Sequence, residues 1–219
     1  MDYKGKKFVA SYSGGKDSTL AIYRAIKMGM LPVELITTYN IDRNRSWFHG
    51  IPDELLERIS IELDIPINLM VTAGKDYEKN FVSKLKEAKE KGAEVCVFGD
   101  IDLEGHFDWC TKVCEKAGIE AYFPLWGKER KDVVYEFIDE GFKTIITIVD
   151  TSRMPDHFVG KILTRDIADE IAASGADICG ENGEYHTFAF DGPIFSQAVK
   201  FSKRDKIKID NFTILPIGI

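Results

Sequence analysis

The sequence predicts an α/β protein: a doubly wound, mostly parallel sheet followed by a smaller α+β domain. Short apolar runs alternate with helical stretches through the first half of the 219 residues. The first run ends in a glycine pair followed by a helical stretch, a turn typical of nucleotide-binding sheets. The regular alternation stops after residues 124–127. We therefore expect two domains, residues 1–127 and 128–219.

The elements of the first domain follow from their residue patterns. Its strands are short and rich in β-branched and aromatic residues, whereas its helices repeat apolar residues every three or four positions. In chain order we expect strand 8–12, helix 18–28, strand 33–39, helix 52–63, strand 68–71, helix 77–91, strand 94–99, helix 108–116 and strand 121–124. Strands that alternate with helices in this way predict a parallel sheet with helices on both faces.

The second domain has a different arrangement of predicted elements, with longer gaps between them and a C-terminal part rich in strands. In chain order we expect helix 130–140, strand 144–149, helix 163–173, and strands 187–190, 198–202 and 206–215. About 90 residues is close to the lower limit for an independent core, so this domain is expected to pack on the first.

Composition and charge exclude several classes of protein. The chain is 44% hydrophobic and carries a net charge of −7, which disfavours nucleic acid as a partner. No apolar run approaches the roughly 20 residues of a membrane span, and the charged start lacks a signal-peptide pattern. The four cysteines form no CxxC pair, so we expect reduced thiols. Cys110 and Cys114 would share one helix face and are expected to be buried, because a metal would need two further ligands. These features predict a cytoplasmic protein without a membrane partner.

The most specific motif is the six-residue loop 13–18 between the first strand and the first helix, which we call the glycine loop. Gly14 and Gly15 free backbone N–H groups to point inward, the helix N-terminus adds partial positive charge, and Lys16 adds a full one. We expect this loop to be exposed and to cradle a pyrophosphate. An ordinary capped turn is the alternative, because glycine and serine are common turn residues.

Three further residues complete the loop. Ser13 and Ser18 can donate hydrogen bonds to phosphate oxygens, and Asp17 can cap the helix or hold Mg²⁺ through water. The string lacks the spacing of the Walker pattern GxxxxGK[ST], which disfavours an ATPase that cleaves the γ-phosphate.

At this loop the chain resembles the PP-loop ATP pyrophosphatases, whose signature is SGGxDS. Further segments resemble the diphthine–ammonia ligase family within that group, and the likeness extends from the first strand to about residue 200. These segments are 98–101, His106, Trp109, Cys114, 118–121, 124–127, 180–188 and 191–193. The resemblance implies a PP-loop (HUP-like) fold and cleavage of ATP to AMP and pyrophosphate.

The resemblance departs from the family in the C-terminal motif. Archaeal and eukaryotic members read EGGE, an aromatic residue, Glu and Thr, whereas this chain has Asn182 for the first glycine and His186 for that Glu. Bacterial members of the family have the same two residues at these positions of the motif. The reaction type is therefore expected to carry over better than the substrate.

Four residues of this motif are candidates for catalysis: Glu181, Asn182, Glu184 and His186. Carboxylates, an amide and an imidazole beside glycines can orient an amine nucleophile or accept its proton. A polar loop with satisfied hydrogen bonds is the alternative, and the sequence does not tell which glutamate would handle ammonia.

Three further residues are candidates for the ATP site. Gly99 and Asp100 follow an apolar strand at the end where open α/β sheets place ligands, and family members place a histidine at the position of His49. Packing is the alternative for His49, and helix capping for Asp100. His106 and Trp109, near the start of the next helix, can serve function or packing.

The resemblance implies a ligase that adenylates a carboxylate and transfers ammonia to it. Its expected partners are ATP, Mg²⁺, free ammonium and the acid, which in the family is diphthine on elongation factor 2; a homodimer is left open. The alternatives are a nucleotide-binding regulator like the universal stress proteins and a family member acting on another acid. A tRNA-modifying enzyme is disfavoured by charge and cysteine pattern.

Overall fold

The fold is taken from a computed structural model that describes residues 3–40, 45–46, 49–72 and 76–219. The chain divides into two compact units. The first comprises the described residues of Met1–Ser13, Asp17–Trp47 and Asp64–Gly127. The second comprises those of Gly14–Lys16, Phe48–Leu63 and Lys128–Ile219. The division into domains at residue 127 stays a prediction.

The first unit contains a parallel sheet of five strands, as predicted. Its strands are β1 (Lys7–Ser11), β2 (Leu31–Asn40), β4 (Ile67–Val71), β5 (Val95–Val97) and β6 (Glu120–Tyr122). Their spatial order is β4-β2-β1-β5-β6, and the short β3 (Arg45–Ser46) pairs antiparallel with the end of β2. The order reverses between β1 and β5, and open sheets of this type bind ligands outside the carboxyl ends of the strands at such a point. This end of β1 leads into the glycine loop.

Helices of the first unit present regular apolar faces to the sheet. They are α1 (Lys16–Lys27, whose first residue belongs to the second unit), α3 (Tyr77–Glu90) and α4 (Glu104–Ala117). In α4 the buried residues Cys110, Val113, Cys114 and Ala117 follow the spacing of one helix face. They join a core cluster with Phe81 and other side chains of α3.

The second unit is built on an antiparallel sheet in the order β10-β11-β7-β8. Its strands are β7 (Lys143–Asp150), β8 (Tyr185–Asp191), β10 (Ile207–Ile209) and β11 (Phe212–Ile214), and β9 (Ser202–Lys203) pairs separately with β12 (Ile217–Gly218). Its helices are α2 (Asp53–Leu63), α5 (Arg130–Asp139) and α6 (Arg165–Ala173), with a 3₁₀ turn at Asp156–Phe158. Thr164 caps α6 by accepting a hydrogen bond from the Ile167 amide.

Three of the predicted elements were wrong in part. The helix expected at 108–116 begins at Glu104, because its N-cap Leu103 makes no side-chain cap and Gly105 obscures the helical pattern. Most of the expected strand 198–202 has no regular secondary structure: the Val199 amide donates to the Phe190 carbonyl, and a strand begins only at Ser202. The expected strand 206–215 is a hairpin, β10 and β11.

The four cysteines are free thiols, as predicted, and all four are buried, including Cys110 and Cys114 for which burial was expected. Burial raises the pKa of Cys96 and of Cys110, which keeps both thiols protonated. Among the described residues, no helix has the length and apolar character needed to cross a bilayer.

Candidate nucleotide and acyl-transfer site

In the first unit, two serines brace the start of the glycine loop. The Ser13 amide donates to Ser18 Oγ at 3.3 Å, and the two hydroxyl oxygens lie 3.1 Å apart. Asp17 lies in the first turn of α1, half-buried, where a carboxylate favours the positive end of the helix dipole. The loop therefore turns tightly from β1 into α1.

Gly99 approaches the same helix terminus from the end of β5. A Cβ on Gly99 would lie 2.8 Å from the Ser18 amide nitrogen and 2.9 Å from the Asp17 carbonyl carbon. Only glycine allows these two backbones to come so close. Gly99 thus fixes the distance between the end of β5 and the start of α1.

Asp100 lies beside Gly99 and contacts α4 through its side chain. One carboxylate oxygen is 3.1 Å from His106 Nδ1, and the other is 3.9 Å from Cys110 Sγ. Asp100 does not cap α4, whose N-cap is Leu103. Trp109 packs against the core cluster, and its ring centre lies 5.3 Å from that of Tyr77 with the ring planes tilted by 36°, which agrees with a packing role.

In the second unit, the middle of the glycine loop runs along β8. The Ala189 amide donates to the Gly14 carbonyl at 2.9 Å, and the Lys16 amide donates to Thr187 Oγ1 at 3.1 Å. Gly14 has a φ of +82°, which favours glycine. The backbone of the loop is therefore held by a strand that follows it by more than 160 residues.

The expectation of an exposed loop was wrong, because none of the six residues 13–18 is exposed and the Lys16 side chain is buried. It is only 4% exposed, because its ammonium donates to the Cys179 carbonyl and lies 5.4 Å from the centre of the Tyr185 ring. A carbonyl oxygen and an aromatic face both stabilise a cation away from water.

His49 contacts the same strand. Its Nδ1 lies 2.7 Å from the Thr187 carbonyl, and since a carbonyl only accepts, Nδ1 carries the proton. A Cβ on Gly15 would lie 2.5 Å from His49 Cε1, so glycine makes room for the imidazole. Burial, and secondarily the neighbouring His186 ring 4.9 Å away, lowers the pKa of His49 to about 3. A neutral His49 with protonated Nδ1 keeps a lone pair on Nε2.

The loop before β8 is organised by the Asp177 carboxylate. It accepts from the Cys179 amide at 3.1 Å and from the Glu181 amide at 2.8 Å, and it pairs with the Arg130 guanidinium at 2.7 Å. Gly180 has a φ of +70°, and a Cβ there would lie 2.8 Å from the Tyr185 ring. This network fixes the direction of the Cys179 carbonyl that Lys16 contacts.

Glu184 is a buried carboxylate that accepts hydrogen bonds from its neighbour. It is 6% exposed and lies 3.2 Å from both the amide and the side-chain nitrogen of Asn182. The Asn182 carbonyl in turn accepts from Arg153 Nη1 at 3.0 Å. Glu184 can therefore both shape the loop and act on a substrate.

The candidate residues thus fall into two groups. Ser13, Asp17, Ser18, Gly99 and Asp100 belong to the first unit, and Gly14, Gly15, Lys16, His49, Glu181, Asn182, Glu184 and His186 belong to the second. Sequence reasoning missed the contributions of Asp177, the Cys179 carbonyl and the Thr187 hydroxyl. Of these three, only Thr187 could have been identified from the sequence, because it is the last polar residue of the motif that carries Glu184 and His186.

Two family models together match most of the chain. Residues 6–121 match the family model of the diphthamide synthase N-terminal domain, and residues 129–217 match that of the C-terminal domain. A diphthine–ammonia ligase of Danio rerio is 21% identical over 97% of this chain and 92% of its own length. That of Rattus norvegicus is 31% identical over 88% of this chain and 82% of its own length. A solved chain from Methanocaldococcus jannaschii, described as a predicted subunit of tRNA methyltransferase, has 17% identity and a TM-score of 0.47, and the match covers 86% of this chain and 98% of that one.

Proposed function

The chain belongs to the diphthamide synthase family, and on this basis we propose that it is an ATP-dependent ligase that joins ammonia to a carboxylate. Relatives that align over most of both chains are named diphthine–ammonia ligase. The acid is diphthine on elongation factor 2 or, given Asn182 and His186, a different acid handled by the same chemistry. A protein substrate of this kind places the reaction in the cytoplasm.

The first step is attack of the carboxylate oxygen on the α-phosphorus of ATP. The bond between that phosphorus and the bridging oxygen breaks, pyrophosphate leaves, and an acyl-adenylate forms. Loop 13–18 holds the departing pyrophosphate, with the start of α1 and the Lys16 ammonium supplying positive charge. Lys16 reaches phosphate by rotating about its side-chain bonds.

Asp17 suits Mg²⁺, because its half-buried carboxylate lies in the loop and Mg²⁺ usually takes one or two carboxylates together with substrate phosphates. When bound, the ion neutralises charge on the departing pyrophosphate. Ser13 and Ser18 keep the turn in which Asp17 lies.

The second step is attack of ammonia on the acyl carbon. The bond to the adenylate oxygen breaks, AMP leaves, and a proton is released as the amide forms. The carboxylates of Glu181 and Glu184 and the lone pair on His49 Nε2 are the groups able to accept that proton. Asn182 and His186 contribute to the choice of acid.

One observation carries this proposal most directly: Lys16 is held by Thr187, in the motif that contains Glu184, and by Cys179, directly before that motif. Lys16, proposed for phosphate binding, and Glu184, proposed for amide formation, thus belong to the same unit. A regulator that only stores nucleotide has no need of this connection.

Isotope transfer tests the reaction. Diphthine-bearing elongation factor labelled with ¹⁸O in the carboxylate is incubated with the protein, ATP and ammonium. We expect AMP that contains one ¹⁸O atom, because the attacking oxygen stays on the adenylate. ADP as the product, or nucleotide binding without turnover, would contradict the proposal. Turnover only with another acid would retain the chemistry and change the substrate.

A further inference from the structure

The Lys16 ammonium occupies a small cation site on the second unit. The site consists of the Cys179 carbonyl oxygen, to which Nζ donates, and the face of the Tyr185 ring, 5.4 Å away. Cation–π attraction acts within about 6 Å of a ring centre and strengthens when water is excluded. Lys16 is 4% exposed and Tyr185 3%, so this contact is dry.

Both parts of the site are fixed independently of Lys16. The Tyr185 hydroxyl donates to the Ile178 carbonyl at 2.6 Å, which holds the ring in place, and Gly180 leaves room beside it. The Gly180 amide, which belongs to the same peptide as the Cys179 carbonyl, donates to the Asp177 carbonyl at 3.1 Å and orients that peptide. The site therefore persists when the lysine leaves it.

Lys16 has a competing position in the proposed reaction. The phosphates of ATP compete with the Cys179 carbonyl and the Tyr185 ring for its ammonium. Phosphate carries more charge than a carbonyl, so bound ATP attracts the lysine out of the site. The space that it leaves has the size of an –NH₃⁺ group and is lined by the carbonyl oxygen and the ring face that held the lysine.

We propose that the site formed by the Cys179 carbonyl and the Tyr185 ring binds the ammonium ion used in amide formation, after ATP has drawn Lys16 away. The bound ion gives up one proton to a base, and the resulting ammonia attacks the acyl carbon. This inference rests on the proposed ligase function. NH₄⁺ resembles the terminal group of lysine in charge, size and hydrogen-bond donors. ATP binding thus prepares the ammonium site, and ammonium enters only once nucleotide is present.

The first test uses the empty site and needs no acid substrate. The Lys16→Ala variant is heated in NH₄Cl, methylammonium chloride, NaCl or tetramethylammonium chloride at equal ionic strength without nucleotide. We expect NH₄⁺ and methylammonium to raise its Tm above that in the other two salts, because only these ions replace the missing –NH₃⁺ group. Wild type should show no such difference without nucleotide.

Lys161→Ala is the matched control. The Lys161 ammonium also lies over an aromatic ring, 4.8 Å from the centre of Phe158, but its side chain is partly exposed and paired with Glu170. Its removal should create no ammonium-specific rise in Tm. Equal effects of all four salts on Lys16→Ala, or the same ammonium effect on Lys161→Ala, would overturn the inference.

Wild type with α,β-methylene-ATP provides a second arm that does not depend on the folding of Lys16→Ala. This analogue cannot be cleaved between the α and β phosphates, and it should make the Tm of wild type depend on NH₄⁺. An analogue that stabilises wild type equally in NaCl and NH₄Cl would count against the ammonium site. Failure of the analogue to bind would instead contradict the proposed function.

Kinetics separate the site from the rest of the reaction. Tyr185→Leu removes the aromatic face and should raise the KM for ammonium about tenfold while the KM for ATP changes little. Tyr185→Phe keeps the face and should remain near wild type. Unchanged ammonium KM in Tyr185→Leu would refute the inference even where AMP formation confirms the ligase.

Discussion

The hydroxyl of Thr187 accepts a hydrogen bond from the backbone amide of Lys16 at 3.1 Å, across 171 positions of sequence. The same residue accepts from His49 through its carbonyl oxygen at 2.7 Å. Thr187 is 1% exposed, so neither bond has water as a ready substitute. One strand residue therefore sets the position of the loop lysine and the tautomer of the histidine.

Replacement of Thr187 by valine should weaken ATP binding about tenfold. Valine keeps the shape but removes the hydroxyl that accepts from the buried Lys16 amide, a loss of ~1–3 kcal/mol. Calorimetric titration with ATP measures it, and Thr187→Ser, which retains the hydroxyl, should remain within a few-fold of wild type. Equal affinities for valine and serine would show that the hydroxyl does not position the loop.

Gly99→Ala and Gly105→Ala should change stability in opposite directions. The alanine Cβ at 99 meets the Ser18 amide nitrogen at 2.8 Å, whereas nothing lies within 4 Å of a Cβ at 105. We expect Gly99→Ala to cost ~1–3 kcal/mol and to impair ATP binding. Gly105→Ala, in helix α4, should gain ~0.5–1 kcal/mol. Urea denaturation checks both, and a stable Gly99→Ala protein with normal ATP affinity would contradict the close approach.

His49 should make the fold less stable in mild acid. Its folded-state pKa of about 3 lies below the usual value near 6.5, so from pH 6.5 downward the unfolded chain binds a proton that the folded protein does not. The contribution of neutral His49 to the free energy of unfolding is fully present above pH 6.5 and is lost progressively as the pH falls towards 3. Because His49 is only half-buried, the loss should be smaller than the full shift implies.

The urea concentrations at the unfolding midpoint, compared between pH 7.5 and pH 5, measure this loss of stability. His49→Gln, which can still donate to the Thr187 carbonyl, should lose less stability than wild type between the two values. His157→Gln, at an exposed histidine that contacts Glu170, is the control and should retain the wild-type loss. A His49→Gln protein as acid-sensitive as wild type would argue against a neutral His49.

Glu184→Gln should leave ATP affinity within a few-fold of wild type and reduce amide formation by ~10²–10⁴-fold. Glutamine keeps one oxygen for the Asn182 contacts but loses the charge that a base or ammonium ligand needs. Asn182→Ala removes the side-chain contact and leaves the charge. Equal loss in the two variants would show that Glu184 acts by shaping the loop.

The double variant Asn182→Gly with His186→Glu tests the choice of acid. It restores the EGGE spelling and removes the ring 4.9 Å from His49. With diphthine-bearing elongation factor as substrate, activity in the double variant alone would assign specificity to these two positions. Robust wild-type activity would show that they admit diphthine, and the rate of AMP release measures both.

The parallel sheet and the SGGKDS loop could be predicted because each follows from local patterns: alternating apolar runs, two adjacent glycines and a following amphipathic helix. The partners of Lys16 could not, since no local pattern indicates that the Thr187 hydroxyl and the Cys179 carbonyl meet it. Strand 198–202 was overpredicted because Val199 is buried within an alternating segment that makes only one backbone bond to Phe190.

The pairing of the glycine loop with β8 determines what a fragment of this protein can do. A polypeptide that ends at Gly127 contains all six loop residues but lacks Ala189 and Thr187, which receive the backbone of Gly14 and Lys16. Such a fragment would keep the nucleotide-binding sequence motif but lose the hydrogen bonds that hold the backbone of that loop. Recombination between relatives at that boundary would face the same constraint, because a loop and a strand from different parents must fit each other before ATP can bind.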